Sequence, residues 1–180
     1  MLHLNLGRIA CVLAATAACL SMAAAQEQSE QKANPETMEY LRQGSAFYLD
    51  HDFKRAIPPY QKAVDLEKEK PTLDKTLWRV LVDNLGMAYG ISGDLKKAKE
   101  TFEYGLSKDP KYPMFHYNMA CTYAEMNDVD KAIVSLKQAF EYKENMIKGE
   151  PMPDPRTDSS FERFLNNDKF VNALRELNRD

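Results

Sequence analysis

The sequence predicts an all-α protein, an α-solenoid of three antiparallel helix hairpins closed by short C-terminal capping helices. Apolar and small residues recur in the same order at offsets of 34 and 42 residues along the chain. Within each copy they are spaced by three, four and seven positions, which is the period of an amphipathic helix and not of a strand. Turn residues separate these stretches. Self-similarity on this length scale is typical of stacked repeats, in which each unit buries one face against the next.

The N-terminal 25 residues have the composition of an export signal. One charged side chain, Arg8, precedes an apolar run that closes on Ala23, Ala24 and Ala25. This predicts a signal peptide over residues 1–25, because the run is at the short limit for spanning a bilayer. Lipidation at Cys19 is an alternative, since Thr16-Ala17-Ala18-Cys19 resembles a bacterial lipobox. We expect a periplasmic or secreted chain without a membrane span after cleavage, beginning with a flexible lead over residues 26–36.

The repeats are predicted at residues 37–70, 79–112 and 113–146. The clearest copy is the second, which contains Val82, Leu85, Gly86, Tyr89, Ala98, Phe102 and Pro110. The third copy places His116, Met119, Ala120, Tyr123, Ala132 and Leu136 at the same spacings. The first contains Tyr40, Gln43, Gly44, Phe47, Ala56 and Tyr60. Eight additional residues separate the first copy from the second, around Pro71 to Trp78.

This pattern resembles the tetratricopeptide repeat (TPR) family across residues 37–146. The segments Tyr117–Tyr123, Asp130–Ile133 and Ser160–Leu165 look like a bacterial end-of-group form of the repeat, in which short terminal helices close the array. The resemblance implies stacked helix hairpins whose first helices line a concave surface that binds a polypeptide. It implies a protein-interaction module of the exported bacterial type.

Small residues and turns in the repeats support close helix packing. Gly44, Gly86 and Ala120 lie where a partner helix is expected to cross, so a larger side chain at Gly86 should overpack the crossing. Gly93-Asp94 and Asn127-Asp128 are predicted to end one helix and cap the next, and Asp52 to do the same in the first repeat. Pro58 and Pro59 fall inside a predicted second helix, where they favour a kink or a late helix start.

Residues 147–180 are predicted to connect and then cap the array. Three prolines between Gly149 and Pro155 favour an extended connector. Ser159 and Glu162 form a capping-box pattern for one short helix, and Asp168 can cap a second. Apolar residues on these helices would cover the open side of the last repeat, which otherwise faces water.

Composition and motifs argue against several function classes. The net charge of −3 argues against nucleic acid as a ligand. No common catalytic, nucleotide-binding or metal-binding signature is present, so we expect no enzyme, cofactor or metal site. His51 is expected to lie in a solvated turn and His116 to pack in the interior. Cys121, the one cysteine after the predicted signal, is expected to be a small packing residue with an unreactive thiol.

The function predicted from these observations is binding of a partner protein or peptide. The resemblance to the TPR family implies that ligand contacts lie on the first helices, on the stripe beside the packing face, which in this sequence consists of Leu41, Ser45, Tyr48, Leu49, Asp83, Met87, Gly90, Ile91, Met114, Tyr117, Cys121 and Glu125. This stripe is apolar and aromatic with two acids, and it lacks the basic residues of the carboxylate clamp found in chaperone-binding relatives. Two alternatives remain at this stage: a structural or self-associating envelope protein that forms a homo-oligomer, and an accessory subunit of an envelope enzyme.

Overall fold

The structure is a computed structural model, and it describes residues 33–177. Seven α-helices lie in this part of the chain: α1 (Pro35–Leu49), α2 (Phe53–Glu69), α3 (Lys75–Ile91), α4 (Leu95–Lys108), α5 (Pro113–Glu125), α6 (Val129–Glu141) and α7 (Asp168–Leu177). Two short 3-10 helices, Lys143–Asn145 and Ser159–Phe164, lie between α6 and α7. Residues 33–177 contain no strand, which confirms the all-α prediction.

The first six helices form three hairpins that stack in sequence order. The helices α1 and α2, α3 and α4, and α5 and α6 pack as pairs. Neighbouring hairpins touch through α2 with α3 and α4 with α5, and the first helix α3 contacts both α1 and α5. This nearest-neighbour pattern is that of an α-solenoid, in which each unit contacts only the units beside it.

The three turns within the hairpins share one conformation. Each has a residue with positive φ followed by an aspartate: His51–Asp52, Gly93–Asp94 and Asn127–Asp128, with φ values of 58°, 90° and 61°. The aspartate side chains accept hydrogen bonds from the backbone amides of Arg55, Lys97 and Lys131. The predicted helix caps are therefore confirmed, including Asp52 in the first repeat.

Glycines are required where the two helices of a hairpin cross. A Cβ atom on Gly86 would lie within 3.0 Å of three ring atoms of Phe102, and one on Gly44 would lie within 2.7 Å of three ring atoms of Tyr60. The alanines at positions 56, 98 and 132 are completely buried. The predicted close crossings are thus confirmed, since the aromatic ring occupies the space that a side chain on the glycine would need.

The second helix of the first repeat begins directly after the turn. Helix α2 begins at Phe53, capped by Asp52, and includes both Pro58 and Pro59. The expectation of a late start is wrong. The carbonyls that lose their helical partners belong to Lys54 and Arg55, two exposed residues, so water can hydrogen-bond to them.

The start of the array also differs from the prediction. Helix α1 begins at Pro35, so residues 35 and 36 are helical and do not belong to a flexible lead. Asn34 accepts a hydrogen bond from the amide of Glu36, and proline is favoured in the first helical turn because its missing N–H has no partner there. The predicted signal at 1–25, Cys19 and most of the lead lie outside the described residues. Among residues 33–177, no helix combines the length and apolar character needed to cross a membrane.

The C-terminal segment covers the third hairpin, as predicted, but with different caps. The 3-10 helix Ser159–Phe164 packs on α5, and α7 packs on α6. Asp158, and not Ser159, accepts from the amide of Ser160, and Asn167, not Asp168, accepts from the amide of Phe170. The apolar residues of this segment join the second buried cluster: Phe161, Phe164, Phe170 and Leu174 with Tyr117, Ala120, Leu136 and Ala139.

The eight additional residues lengthen both sides of one hairpin junction. Helix α2 is three residues longer than α4, and α3 is four residues longer than α5. The connection over residues 70–74 is one residue longer than that over residues 109–112. The second hairpin therefore starts at Lys75, four residues before the predicted boundary at 79. The buried carboxylate of Glu67 fixes this connection by accepting from the amides of Thr72 and Leu73.

Candidate functional site

The predicted binding stripe lies on α1, α3 and α5, but two of its residues are not accessible. Leu41 is 6% exposed and belongs to the core formed with α2 and α3. Tyr117 is 1% exposed and belongs to the cluster beneath the C-terminal segment. The prediction that these two side chains contact a partner is wrong in this structure, because the protein's own side chains already surround them.

The chain that follows α6 packs on α5 around Tyr117 and reaches the C-terminal end of the helix. The hydroxyl of Tyr117 donates to Oδ2 of Asp158 at 3.1 Å, and the ring of Phe161 meets the Tyr117 ring edge-on at 5.9 Å between centroids. Near the end of the helix, Glu125 accepts from Arg163 at 2.8 Å. On α5 the predicted contact residue Tyr117 is thus covered and Met114 is half-buried, whereas Glu125 remains exposed although it is paired with Arg163.

The covering chain is anchored at the start of α5 as well. The hydroxyl of Tyr112 donates to the carboxylate of Glu150 at 2.9 Å, and Arg79 donates to the backbone carbonyl of Asn145 at 3.1 Å. Arg79 also bonds to the buried Asp109 at 2.8 Å. The residues after α6 are therefore held on the first helices by several polar contacts between distant parts of the chain.

The remaining part of the stripe lies on α1 and α3 and stays open. We call it the open stripe, and it consists of Ser45, Tyr48, Leu49, Asp83, Met87 and Ile91. Leu49 is 78% exposed and Ile91 is 52% exposed, although both are large apolar residues. The other four are half-buried. Leu49 and Ile91 occupy equivalent repeat positions at the ends of their helices, so two neighbouring repeats present an apolar side chain in the same way.

The wall behind the open stripe is a network of hydrogen-bonded polar side chains. The hydroxyl of Tyr60 donates to Ser45 at 3.2 Å and accepts from the side-chain amide of Asn84 at 3.1 Å. The side-chain amide of Asn118 donates to Oδ1 of Asp83 at 2.7 Å. These bonds join four helices, so the backbone of the first helices is held in register by side chains that a partner could also contact.

Asp83 is the charged residue within the open stripe. Burial raises the pKa of Asp83 to about 7, with a further contribution from the nearby Glu150 carboxylate, while the Asn118 hydrogen bond opposes the shift. Burial, followed by the nearby Asp83 charge, raises the pKa of Tyr48 to about 12. A carboxylate in this position lacks a cationic partner among the contacts described for it, so its ionised form would be stabilised by a ligand's positive charge.

The other chemistry-bearing side chains have structural environments. Burial and the adjacent Asp158 raise the pKa of the Cys121 thiol far above its ordinary value, which keeps it protonated. His116 is buried and lies 2.8 Å from the carbonyl of Pro110, whereas His51 is exposed in the first turn. Within residues 33–177, no group of three or more potential ligands could hold a metal ion.

Sequence reasoning identified the open stripe but missed its surroundings. Asn84 and Asn118 each follow a predicted stripe residue, Asp83 and Tyr117, by one position, and their place on the first helices is evident from the sequence. Helical spacing alone does not place them beside the stripe, because adjacent positions of a helix do not share a face. The sequence contains no comparable indication that Glu150 lies near the stripe. It lies in the proline-rich connector, and its contact with Tyr112 joins residues 38 positions apart.

Comparison with known families identifies two matching segments in the middle of the chain. Models described as tetratricopeptide repeat match residues 82–112 and residues 101–134. The first covers the second half of α3, all of α4 and the connection that follows, and the second extends from the middle of α4 through α5 into α6.

Among curated proteins, the chain is similar to photosystem I assembly proteins named Ycf3. It is 30% identical to that of Prochlorococcus marinus (strain NATL1A) over 84 residues, which is 47% of this chain and 46% of the relative. It is 29% identical to that of Synechococcus sp. (strain CC9311) over the same length. The matched region thus spans slightly less than half of these relatives.

Among solved structures, the fold is similar to the Sgt2 TPR domain from Aspergillus fumigatus. The TM-score is 0.56 at 21% sequence identity, and the match covers 84% of this chain and 87% of the other. This likeness establishes the architecture of the helices, and not the ligand.

Proposed function

Because the chain is a tetratricopeptide-repeat protein whose α5 is covered by its own C-terminal segment, we propose that it binds a segment of a partner polypeptide on the open stripe of α1 and α3. The observation that carries this proposal is the pair of exposed apolar side chains, Leu49 and Ile91, on the stripe of α1 and α3 that also contains the half-buried Asp83. Exposed apolar residues that adjoin an ordered polar surface are typical of protein interaction sites. The chain acts by binding and carries out no chemistry of its own.

The open stripe favours a segment that is apolar and carries at least one positive charge. Leu49, Met87 and Ile91 offer apolar contact area on two adjacent helices, and an extended or helical segment could cross both. A lysine or arginine placed beside Asp83 would find an acceptor that now lacks a cationic partner, with Glu150 nearby. An acidic C-terminal tail would meet like charge at this point, and it is therefore not the proposed ligand.

We extend the proposal to an assembly role outside the cytoplasm. The curated relatives are photosystem I assembly proteins, and the similarity covers 84 residues, 47% of this chain. By analogy, this chain would hold a segment of a subunit before that subunit joins its complex. The N-terminal signal predicted over residues 1–25 supports action in the periplasm or outside the cell.

The proposal is tested by selecting peptides on the purified chain and measuring their affinity by fluorescence anisotropy. Selected sequences should combine apolar residues with lysine or arginine. Ile91→Asp should weaken their binding by about tenfold or more, because it places a charge where an apolar side chain is buried by the ligand. Val134→Asp is the matched control, since Val134 is 58% exposed on the second helix α6, away from the open stripe.

Two results would overturn the proposal. One is equal loss of binding in Ile91→Asp and Val134→Asp, which would show that the peptides do not use the open stripe. The other is a stable homo-oligomer by light scattering that becomes monomeric in Ile91→Asp. That result would assign the exposed apolar residues to self-association, the alternative that the sequence left open.

A further inference from the structure

A cavity of about 550 Å³ lies at the junction between the first and second hairpins, where the eight additional residues are located. Five of its lining residues, Lys68, Pro71, Leu73, Lys75 and Trp78, come from the extended ends of α2 and α3 and the connection between them. The side chains of Tyr104 and Lys108 on α4 complete it. The junction between the second and third hairpins is shorter, so the repeat pattern by itself does not require this cavity.

The floor of the cavity is aromatic and firmly supported. The ring of Trp78 meets that of Tyr104 edge-on at 6.0 Å between centroids and that of Phe115 at 5.8 Å. Phe115 is completely buried, while Trp78 and Tyr104 are half-buried. The two half-buried rings therefore present apolar area to the cavity in a fixed orientation, as small-molecule sites do.

The rim of the cavity carries more positive charge than unpaired negative charge. Both acids of the lining are already engaged, Glu67 by the backbone of the connection and Asp109 by Arg79 and Lys75. Lys68 lies over the ring of Tyr104, with its Nζ 4.7 Å from the centroid. Lys108 is exposed at the end of α4. Two ammonium groups thus border the aromatic floor without a carboxylate paired to them in the described contacts.

We propose that this cavity binds a small amphiphilic anion, a carboxylate carried on an aromatic or aliphatic body. The body packs on Trp78 and Tyr104, and the carboxylate lies between Lys68 and Lys108. The volume is within the range of about 300–1,000 Å³ that is typical of small-molecule sites. The site is separate from the open stripe and shares no residue with it, so it does not depend on the proposed polypeptide binding.

The chain contains a single tryptophan, Trp78, and it reports directly on this cavity. We would titrate the purified protein with 4-phenylbutyrate and follow the emission of Trp78. The matched probes are 4-phenylbutanol and 4-phenylbutylamine, which share the body but are neutral and cationic. The carboxylate should give saturable binding at least about tenfold tighter than the alcohol, and the amine should give none, because the rim charges act in opposite directions on the two ions.

Variants test whether the lysines select the charge. The double change Lys68→Gln and Lys108→Gln should weaken 4-phenylbutyrate binding about tenfold and leave 4-phenylbutanol unaffected, since two exposed ion pairs each contribute modestly. Lys96→Gln is the control, because Lys96 is an exposed lysine on the same helix α4 that does not line the cavity. Unchanged helicity by circular dichroism establishes that the variants are folded.

Three outcomes would overturn the proposal. The first is an absence of saturable change in Trp78 emission with 4-phenylbutyrate. The second is equal affinity for the acid, the alcohol and the amine. The third is tighter binding of a short peptide ending in a hydrophobic residue than of 4-phenylbutyrate, which would assign the cavity to a polypeptide C-terminus.

Discussion

The side-chain amide of Asn118 donates a hydrogen bond of 2.7 Å to the carboxylate of Asp83, and this contact joins α5 to α3 beside the open stripe. This hydrogen bond partly replaces the water that the Asp83 carboxylate loses on burial. The hydrogen bond alone does not compensate for burial, because the pKa of Asp83 remains raised to about 7. Asp83 is therefore a group whose charge destabilises the folded chain in the absence of a ligand.

The first prediction concerns the pH dependence of stability. Because the pKa of Asp83 is about 7 in the folded chain, Asp83 retains its proton there up to about pH 7, whereas the unfolded chain releases it near the ordinary aspartate pKa of 3.8. The favourable contribution of Asp83 to the free energy of unfolding is therefore fully present below about pH 4 and is lost as the pH rises through about 7. Asparagine carries no charge, so Asp83→Asn removes that loss. The stability of the variant relative to the parent should therefore increase by about 2–4 kcal/mol between pH 4 and pH 8.

Urea unfolding of both proteins at several pH values measures this difference. Asp65→Asn is the control, because Asp65 is exposed on α2 and its charge is solvated. A stability difference between parent and Asp83→Asn that does not change with pH would contradict the prediction.

The second prediction compares two glycines of α3. Gly86→Ala should destabilise the fold by about 1–3 kcal/mol, and Gly86→Leu by more, since the new atoms meet the ring of Phe102. Gly90→Ala should be neutral or stabilising by up to about 1 kcal/mol, because its Cβ would lie 3.7 Å from the Cβ of Ala98 and alanine favours a helix. Thermal and urea unfolding measure both. Equal effects at the two positions would refute the proposed crossing.

The third prediction separates a structural residue from a binding residue. Tyr117→Asp buries a second carboxylate beside Asp158 and removes the contact with Phe161, so it should destabilise the chain by about 3 kcal/mol or more. Ile91→Asp changes an exposed side chain and should alter stability by about 0.5 kcal/mol or less. Peptide affinity should fall specifically in Ile91→Asp. A stable Tyr117→Asp protein that has lost peptide binding would restore Tyr117 to the site.

The repeat architecture could be predicted because it depends on local spacing. Gly86 and Phe102 lie 16 positions apart on adjoining helices, and their sizes alone indicate a close crossing. The capping role of the turn aspartates could also be predicted, because it depends on residues next to them in the sequence. Pro58 and Pro59 were harder to place, because their tolerance depends on which carbonyls face water.

The extent of the open surface could not be predicted in the same way. Whether Tyr117 is exposed depends on where Asp158 and Phe161 dock, about 40 positions later in the chain. Helical spacing gives the same signal for Tyr117 as for Ile91, because it describes one helix and not what packs on it. The cavity beside Trp78 likewise arises from an insertion that the repeat pattern marks only as additional length.

The fourth prediction uses Cys121 to detect release of the C-terminal segment. A chain that begins at Gln26 contains Cys121 as its one cysteine. The thiol lies 3.7 Å from Oδ2 of Asp158, and burial together with this carboxylate raises its pKa, so maleimide labelling at pH 7.5 should be slow in the folded protein and fast in guanidinium. Phe161→Ala removes a completely buried ring of the covering segment, and it should increase the labelling rate by more than the Ile91→Asp control does. Fast labelling of the folded parent would show that the segment does not stay on α5. In that case the stripe of α5, including Tyr117, would return to the surface that a partner can contact.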